Sequence, residues 1–134
     1  MRYAPVINTV ATYKGKILLT QRSHELRHYP GWWNGISGYL DDHLDIAAKV
    51  YEELREEAGL HAHHVKSLRI ERPLIQEAPE YGKTWLVIPV LAIVTTDAIT
   101  LNWEAADAGW FTPAEARKLQ LLDGCADVLA HFFP

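Results

Sequence analysis

The sequence predicts one α+β domain in which helices pack on both faces of a central β-sheet, forming an α/β/α sandwich. Two observations support this prediction. Runs with β-type patterns lie on both sides of one amphipathic segment, and helix-start signals close the chain. No low-complexity linker or internal repeat interrupts the sequence, so we expect residues 1–134 to form a single domain.

The first third of the chain is predicted to contain a β-hairpin followed by a long loop. Residues 6–12 and 16–21 are β-rich runs separated by a turn-forming segment at 13–15. Residues 22–38 lose this pattern and contain a proline, several aromatic residues and three glycines. We interpret them as a loop with a short strand near Ile36.

Residues 45–58 have the period of an amphipathic helix. At about 100° per residue, four aliphatic or small side chains gather on one side, namely Ala47, Val50, Leu54 and Ala58. Asp45 is a suitable N-cap, and Gly59 is suited to the left-handed conformation that ends many helices. The segment is therefore predicted to form the first helix.

The second half of the chain is predicted to return to β-structure. Two long β runs, residues 65–75 and 84–95, flank a polar loop at 76–83. Shorter strands are expected at 99–103 and 108–111. Strands thus lie on both sides of the first helix, as the layered fold requires.

Helix-start signals mark the end of the chain. Thr112-Pro113-Ala114-Glu115 is a capping box with proline at the first helical position, which predicts a second helix there. Asp123 is expected to cap a third helix that ends near Phe133.

Composition excludes several classes of protein. The 13 Lys+Arg against 17 Asp+Glu give a formal charge of -4, and a protein without a basic surplus is not expected to bind duplex nucleic acid. The single cysteine, Cys125, cannot form an internal disulfide and is expected to be a small buried residue. No run approaches the roughly 18 apolar residues of a membrane span. We therefore expect a cytoplasmic protein without a secretion signal or membrane insertion.

The acidity is concentrated in one segment, residues 41–57, which contains seven acidic and two basic residues. Glu53, Glu56 and Glu57 stand there at i, i+3 and i+4, so a helix places their carboxylates on one face. Like charges so placed repel by roughly a few tenths of a kcal/mol per pair. A hard divalent cation such as Mg²⁺, which prefers oxygen ligands, would offset that repulsion. A solvated acidic surface is the alternative interpretation of the spacing alone.

Residues 38–60 resemble the signature of the Nudix hydrolases, G-x5-E-x7-R-E-U-x-E-E-x-G-U, in which U is aliphatic. Leu44 stands where the family has glutamate, and Glu52 stands where it has arginine. In the family this pair helps to orient the metal-binding carboxylates. Glu52 can instead pair with Lys49 or Arg55 along the helix. The other seven specified positions agree at the correct spacing: Gly38, Glu53, Leu54, Glu56, Glu57, Gly59 and Leu60.

The resemblance implies the Nudix fold, a mixed β-sheet packed between helices. It also implies hydrolysis of a nucleoside diphosphate linked to another group, with Mg²⁺ or Mn²⁺ neutralising the diphosphate and activating water. By resemblance, Glu53, Glu56 and Glu57 are metal ligands, and the carbonyl of Gly38 is a further possible ligand.

The general base is left open between Glu53 and Glu104. Glu104 lies six residues before Trp110, where some family members place an additional catalytic or metal-binding glutamate. Glu77 and Glu80, in the predicted loop between the long strands, compete for the same role.

Substrate recognition is assigned to aromatic and cationic residues outside the signature. The expected partner is a small nucleotide diphosphate-type substrate, bound by a monomer or homodimer. Aromatic rings can stack on a base and cations can hold phosphates. The main candidates are Arg22, Trp32, Trp33 and Tyr81, and the further candidates are Tyr39, Trp85, Arg27 and Lys83.

Two other functions are weighed against hydrolysis. The departures at Leu44 and Glu52 are compatible with a Nudix-fold module that senses a nucleotide without hydrolysing it. Isopentenyl-diphosphate isomerase shares the fold and a degenerate signature. That enzyme needs a catalytic cysteine in the N-terminal half, whereas the single cysteine here is Cys125.

Overall fold

A mixed β-sheet forms the centre of the protein, which was analysed as a computed structural model that describes residues 2–134. The eight strands are β1 (Arg2–Tyr13), β2 (Lys16–Arg22), β3 (Trp33–Asn34), β4 (Ile36–Tyr39), β5 (Val65–Ile70), β6 (Leu74–Ala78), β7 (Lys83–Val94) and β8 (Ala105–Phe111). The helices are α1 (Ile46–Ala58), α2 (Pro113–Ala116) and α3 (Asp123–Phe132), and 3₁₀ turns lie at Ala62–His64 and Pro79–Tyr81.

The two longest strands, β1 and β7, run parallel at the middle of the sheet. Their register extends from Arg2 opposite Lys83 to Thr12 opposite Ile93. The other edge of β1 pairs antiparallel with β4 and then with β2, and the other edge of β7 pairs antiparallel with β6 and β5. Both central strands are rich in aliphatic residues, as strands covered on both faces are.

Helices cover both faces of this sheet, which confirms the predicted α+β sandwich. Because successive strand residues point to opposite faces, Leu18 joins the core under α1 while Ile17 and Leu19 join the core under α2 and α3. Fully burying one such aliphatic side chain contributes about 1.5–3 kcal/mol. The helix residues that fill the two cores are Val50, Leu54 and Ala58 from α1, Ala116 from α2, and Cys125, Val128 and Leu129 from α3.

Helix α1 begins and ends where its sequence predicts. The Asp45 side chain accepts a hydrogen bond from the Ala48 backbone N–H at 2.7 Å. Gly59 adopts a left-handed conformation with φ of 67°, and its N–H donates to the Arg55 carbonyl. These caps fix the two ends of α1, while the burial of Val50, Leu54 and Ala58 decides which side of the helix faces the sheet.

Two predicted strands differ in the structure. The run 65–75 is divided into β5 and β6, which pair with different halves of β7. Pro73 lies in the break, where it removes a backbone donor from the sheet. Residues 99–103 form no strand; instead, the Thr100 N–H donates to the Ala58 carbonyl at 2.8 Å and so satisfies an acceptor at the end of α1.

Smaller corrections concern the loop 76–83 and the start of α3. Residues 76–78 belong to β6 and pair with β7, so the loop is shorter than predicted. Asp123 is the first residue of α3 rather than its cap, a position held by Leu122 without a side-chain hydrogen bond. Within residues 2–134, no helix has both the length and the apolar character needed to cross a membrane.

Candidate active site

A cleft of about 370 Å³ brings together residues from β1, β4, β7, α1 and the start of α3. One part of its lining is acidic, with Asp41, Glu53, Glu57 and Glu104. Another part is aromatic, with His28, Tyr29, Tyr39 and Trp85. The cleft therefore combines a group of carboxylates with rings that could hold a flat ligand.

Glu53 packs directly on the backbone of β4. A Cβ atom added to Gly38 would lie 2.7 Å from both Cγ and Cδ of Glu53, which is closer than real Cβ contacts come. Gly38 pairs with Ile7 of β1, so its backbone cannot easily move away. Glycine at position 38 therefore allows the Glu53 carboxylate to lie against the sheet, where only 14% of its side chain is exposed.

Glu57 is the most enclosed of the carboxylates. Its Oε2 atom is buried and has no hydrogen-bond partner in the described part of the chain. Burial raises the pKa of Glu57 well above its usual range, and the hydrogen bond and charge of neighbouring Glu53 together with the charge of Glu104 add to this shift. Arg22 acts in the opposite direction. An unpartnered carboxylate oxygen in this setting is a site that a cation would stabilise.

Glu53 shares this environment. Burial raises its pKa, while its hydrogen bond with Glu57 and the charge of Lys49 oppose the shift. The two carboxylates are thus held near each other although neither is well solvated. Such an arrangement is costly by itself and becomes favourable when a positive ion is present.

The predicted set of three carboxylates, Glu53, Glu56 and Glu57, is only partly grouped. Among residues 2–134, the three side chains whose carboxylate oxygens lie within 4.8 Å of one another are Glu52, Glu53 and Glu56. Glu56 is 48% exposed and pairs with Arg55 at 3.8 Å, whereas Glu57 turns inward. Glu53 lines the cleft with Glu57, whereas Glu52 and Glu56 are outside its lining. The residues present fit a divalent cation, because Glu53 belongs both to this lining and to the group of three carboxylates.

Glu104 lies close to Arg22 and Glu57, since the three residues line one small pocket. Its charge therefore acts on the pKa of both. Its backbone carbonyl accepts a hydrogen bond from the Ser23 N–H at 2.8 Å, which places it beside the end of β2. Arg22 is fixed by a 2.9 Å hydrogen bond from Nε to the His28 carbonyl. Both residues line the cleft, as their predicted roles require, whereas Glu77 and Glu80 do not.

The aromatic part of the cleft is built on Tyr39 and Trp85, whose ring centroids lie 5.7 Å apart. The Lys83 Nζ atom lies 4.9 Å from the Trp85 ring and donates a hydrogen bond to the Tyr39 hydroxyl at 3.3 Å. Burial and nearby cations, with Lys83 the strongest, lower the pKa of His28. This shift favours the neutral imidazole, and this wall offers a flat ligand stacking surfaces next to one cation.

Three of the four main substrate candidates lie outside the cleft lining. Trp33 belongs to the core under α3, where its ring packs edge-on against Phe111 at 5.5 Å. The rings of Trp32 and Tyr81 lie 5.7 and 4.8 Å from the ring of Tyr29, so both contact a residue that lines the cleft. Their predicted contact with substrate stays a prediction, and Arg22 is the main candidate that reaches the cleft.

The cleft also contains a row of hydrogen-bonded polar side chains that the sequence analysis does not predict. The Asn8 amide donates to the Asn34 carbonyl oxygen at 2.8 Å, and the Asn34 amide donates to the Ser37 hydroxyl at 3.2 Å. The one available signal was Asn8, an amide within the apolar run of β1, where it is 4% exposed. Asn34 and Ser37 lie in a segment without periodicity, so only the folded structure identifies them.

Comparison with known proteins gives one family and one fold. The family model of the NUDIX domain matches residues 2–132. The fold is similar to the MutT NUDIX hydrolase from Burkholderia pseudomallei, with a TM-score of 0.83, 17% identity, and coverage of 97% of this chain and 98% of that chain. No match was found among curated proteins.

Two further solved structures are similar over nearly the whole chain. An Ap4A hydrolase from C. elegans, in a binary complex, has a TM-score of 0.73 and 24% identity, and covers 98% of this chain and 95% of that chain. The NUDIX domain of Shewanella oneidensis NrtR, complexed with ADP ribose, has a TM-score of 0.76 and 14% identity. The match covers 98% of this chain and 86% of that chain. At these identities the likeness establishes the fold alone.

Proposed function

Because the chain belongs to the Nudix family, we propose that it is a divalent-metal-dependent hydrolase. It would cleave the pyrophosphate linkage of a nucleoside diphosphate joined to another group. The observation that carries this proposal is the pair Glu53 and Glu57, held together beside the cleft over the Gly38 backbone with a buried, unpartnered oxygen on Glu57.

The proposed metal is Mg²⁺ or Mn²⁺. Glu53 and Glu56 belong both to the ligand set that the signature implies and to the group of oxygens that lie within 4.8 Å, so they are its best-supported ligands. Glu57 and the Gly38 carbonyl complete the proposed set, with Glu52 at its edge. When bound, such an ion neutralises the diphosphate and makes a water molecule a better nucleophile.

Substrate binding is assigned to Tyr39, Trp85 and Arg22, which line the cleft, and to Lys83, which lies outside the lining but contacts Tyr39 and Trp85. Tyr39 and Trp85 would stack on the base, and Arg22 and Lys83 would contact phosphate oxygens. A substrate with two or more phosphate charges fits this arrangement, because Arg22 and Lys83 supply two positive charges in addition to those of a bound metal ion. Two proteins of similar fold, an Ap4A hydrolase and an NrtR domain complexed with ADP ribose, are associated with nucleotides of that chemistry.

The general base is proposed to be Glu53 or Glu104. Both line the cleft, and burial raises the pKa of Glu53, which makes its carboxylate a better proton acceptor near neutral pH. Glu104 lies beside Arg22, which would hold it close to a bound phosphate. Replacing each glutamate by glutamine and comparing the pH profiles of kcat will separate the two assignments.

Hydrolysis is tested with purified protein, Mg²⁺ and a panel of dinucleoside polyphosphates, nucleoside triphosphates, nucleotide sugars and ADP-ribose. We expect release of phosphate or nucleoside monophosphate from at least one compound. Glu53→Gln or Glu56→Gln should lower kcat by about 100-fold or more, because a metal ligand is lost. Glu25→Gln is the control, since Glu25 is exposed and outside the cleft lining. Equal activity in all variants would contradict the proposal.

A nucleotide sensor is the second candidate, favoured by Leu44 and Glu52 at the two departing signature positions. Tight binding across the same panel without turnover would support it. The isomerase has little structural support, because Cys125 is fully buried and burial raises the pKa of its thiol to about 12. A thiol that stays protonated at neutral pH is a poor nucleophile.

We also propose that the protein is cytoplasmic and that it is a monomer or a homodimer.

A further inference from the structure

Lys49 is a buried lysine on α1, with 6% of its surface exposed. Lysine is almost never fully buried unless its charge is paired. The Nζ atom contacts three carboxylates, at 3.0 Å from Asp42, 3.5 Å from Glu52 and 3.5 Å from Glu53. This cation therefore has a specific set of partners, one of which, Glu53, is among the best-supported metal ligands.

The closest partner, Asp42, lies outside the helix. Its Oδ2 atom accepts a hydrogen bond from Lys49, while its Oδ1 atom accepts one from the backbone N–H of Leu44 at 3.0 Å. One carboxylate thus joins α1 to the loop that precedes it. Leu44 is also the signature position at which the family has glutamate. Asp42 therefore ties α1 to the backbone of the same residue whose side chain departs from the signature.

Glu52, the second departing position, faces the same lysine. With glutamate instead of arginine at position 52, the helix loses a cation and gains an anion beside Glu53. Lys49 supplies a compensating positive charge one helical turn earlier, because it lies three residues before Glu52 and four before Glu53. The two departures are therefore matched by a charge pair made from other residues.

We infer that Lys49 and Asp42 together replace the missing glutamate–arginine pair, and that Lys49 is the positioning residue that holds the Glu53 carboxylate against Gly38 for cation binding. Without Lys49, the carboxylates of Asp42, Glu52 and Glu53 repel one another, and Glu53 loses the contact that directs its Oε1 atom. The inference rests on the proposed function in one respect, since it takes Glu53 as a metal ligand.

The positioning role makes a prediction opposite to that of simple electrostatics. Removing a positive charge near a cation site would by itself strengthen cation binding, because the site becomes more negative. Removing a positioning residue weakens binding, because the ligands lose their arrangement. Changes in residues that orient metal ligands typically lower metal affinity by about 10- to 100-fold. The direction of the effect therefore separates the two explanations.

The experiment measures Mn²⁺ binding to the purified protein by electron paramagnetic resonance of the free ion. Lys49→Met keeps the side-chain length and removes the charge, and we expect it to weaken Mn²⁺ binding by about 10-fold or more. Lys49→Arg keeps the charge and the donors, and should remain within a few-fold of the wild type. Lys66→Met is the matched control, because Lys66 is exposed on β5, and should bind Mn²⁺ as the wild type does.

Equal or tighter Mn²⁺ binding by Lys49→Met would overturn the inference. Should that variant fail to fold, Lys49→Gln removes the same positive charge and keeps a polar side chain for Asp42 and Glu53. We expect weaker Mn²⁺ binding there too, and an equal or tighter affinity would overturn the inference. A wild-type protein that binds no Mn²⁺ would instead contradict the proposed function, so the two failures are distinguishable.

Discussion

Glu57 is the residue at which folding and the proposed chemistry oppose each other. Taking a carboxylate out of water costs free energy unless hydrogen bonds or charges compensate it, and the buried Oε2 atom of Glu57 has no partner in the described chain. Arg22 compensates in part, but burial and the neighbouring carboxylates outweigh it, because the pKa of Glu57 is raised. A bound cation would remove this penalty, and the site thereby gains affinity for one.

The raised pKa of Glu57 predicts how the metal-free protein responds to pH. The folded state holds the Glu57 proton to a higher pH than the unfolded chain, in which the pKa is near 4.5. The folded state therefore binds more protons, and the free energy of unfolding falls as pH rises from about that value towards the raised pKa. Glu57→Gln removes this contribution, so the variant should be more stable than the wild type at neutral pH.

Thermal denaturation in a chelator, from pH 4 to pH 8, tests this prediction. The difference in Tm between Glu57→Gln and the wild type should grow with pH. Glu115→Gln is a contrasting control. Its backbone hydrogen bond with Thr112 lowers the pKa of the Glu115 carboxyl, so that carboxylate stabilises the protein above its unfolded pKa and its loss should lower Tm at neutral pH. A constant difference for Glu57→Gln would refute the argument.

Among the elements, β4 and α1 build the carboxylate part of the site together. Helix α1 supplies Glu53 and Glu57, and β4 supplies Gly38, the position at which the strand backbone touches the Glu53 side chain. The apolar face of α1, with Val50, Leu54 and Ala58 buried in the core, sets the rotation of the helix and so directs Glu53 and Glu57 towards the cleft. The site therefore depends on a contact between two elements and not on the helix alone.

Gly38→Ala should separate function from stability. The added Cβ would lie 2.7 Å from Glu53 carbons, so the carboxylate must move, and we expect kcat to fall by about 10- to 100-fold, as when the orientation of a metal ligand is lost. The control is Gly82→Ala, where nothing lies within 4 Å but φ is 65°. That backbone strain should cost about 1–2 kcal/mol of stability without affecting kcat. A Gly38→Ala variant with unchanged kcat would show that the contact is unimportant.

The whole molecule matters because the cleft is assembled from distant parts of the chain. Asn8 of β1, Trp85 of β7 and Glu104 before β8 all contribute to one lining. The parallel pairing of β1 with β7 brings the first two together, and the pairing of β2 with β8 brings Glu104 beside Arg22. A ligand that spans the cleft would therefore stabilise the tertiary fold as a unit.

Cation binding should consequently raise the stability of the entire domain. At an Mn²⁺ concentration of about 100 times Kd, binding to the folded state alone adds about 2.7 kcal/mol. For a domain of this size that corresponds to a rise in Tm of roughly 5 to 15 °C. Differential scanning calorimetry with and without Mn²⁺ measures this rise, which Glu53→Gln should abolish. A rise of equal size in that variant would mean that the ion binds elsewhere.

Local patterns predicted the parts of the fold that depend on neighbouring residues. The cap Asp45, the terminating Gly59 and the capping box at Thr112 all act over a few positions, and each lies as the sequence indicates. Local patterns do not predict the split of the run 65–75, although Pro73 lies within it, because both halves are β-rich and only pairing with β7 decides where each half lies.

The sequence by itself determined the helix with its glutamates and the family signature, because helical spacing and caps are local properties. Tertiary structure decided which carboxylates meet. Helical geometry grouped Glu53, Glu56 and Glu57, but packing turned Glu57 inward and left Glu52 beside Glu53, with Lys49 between them and Asp42. It also placed Trp33 in the core and Trp85 in the cleft. These outcomes depend on which surfaces are buried against each other, and burial is a property of the whole chain.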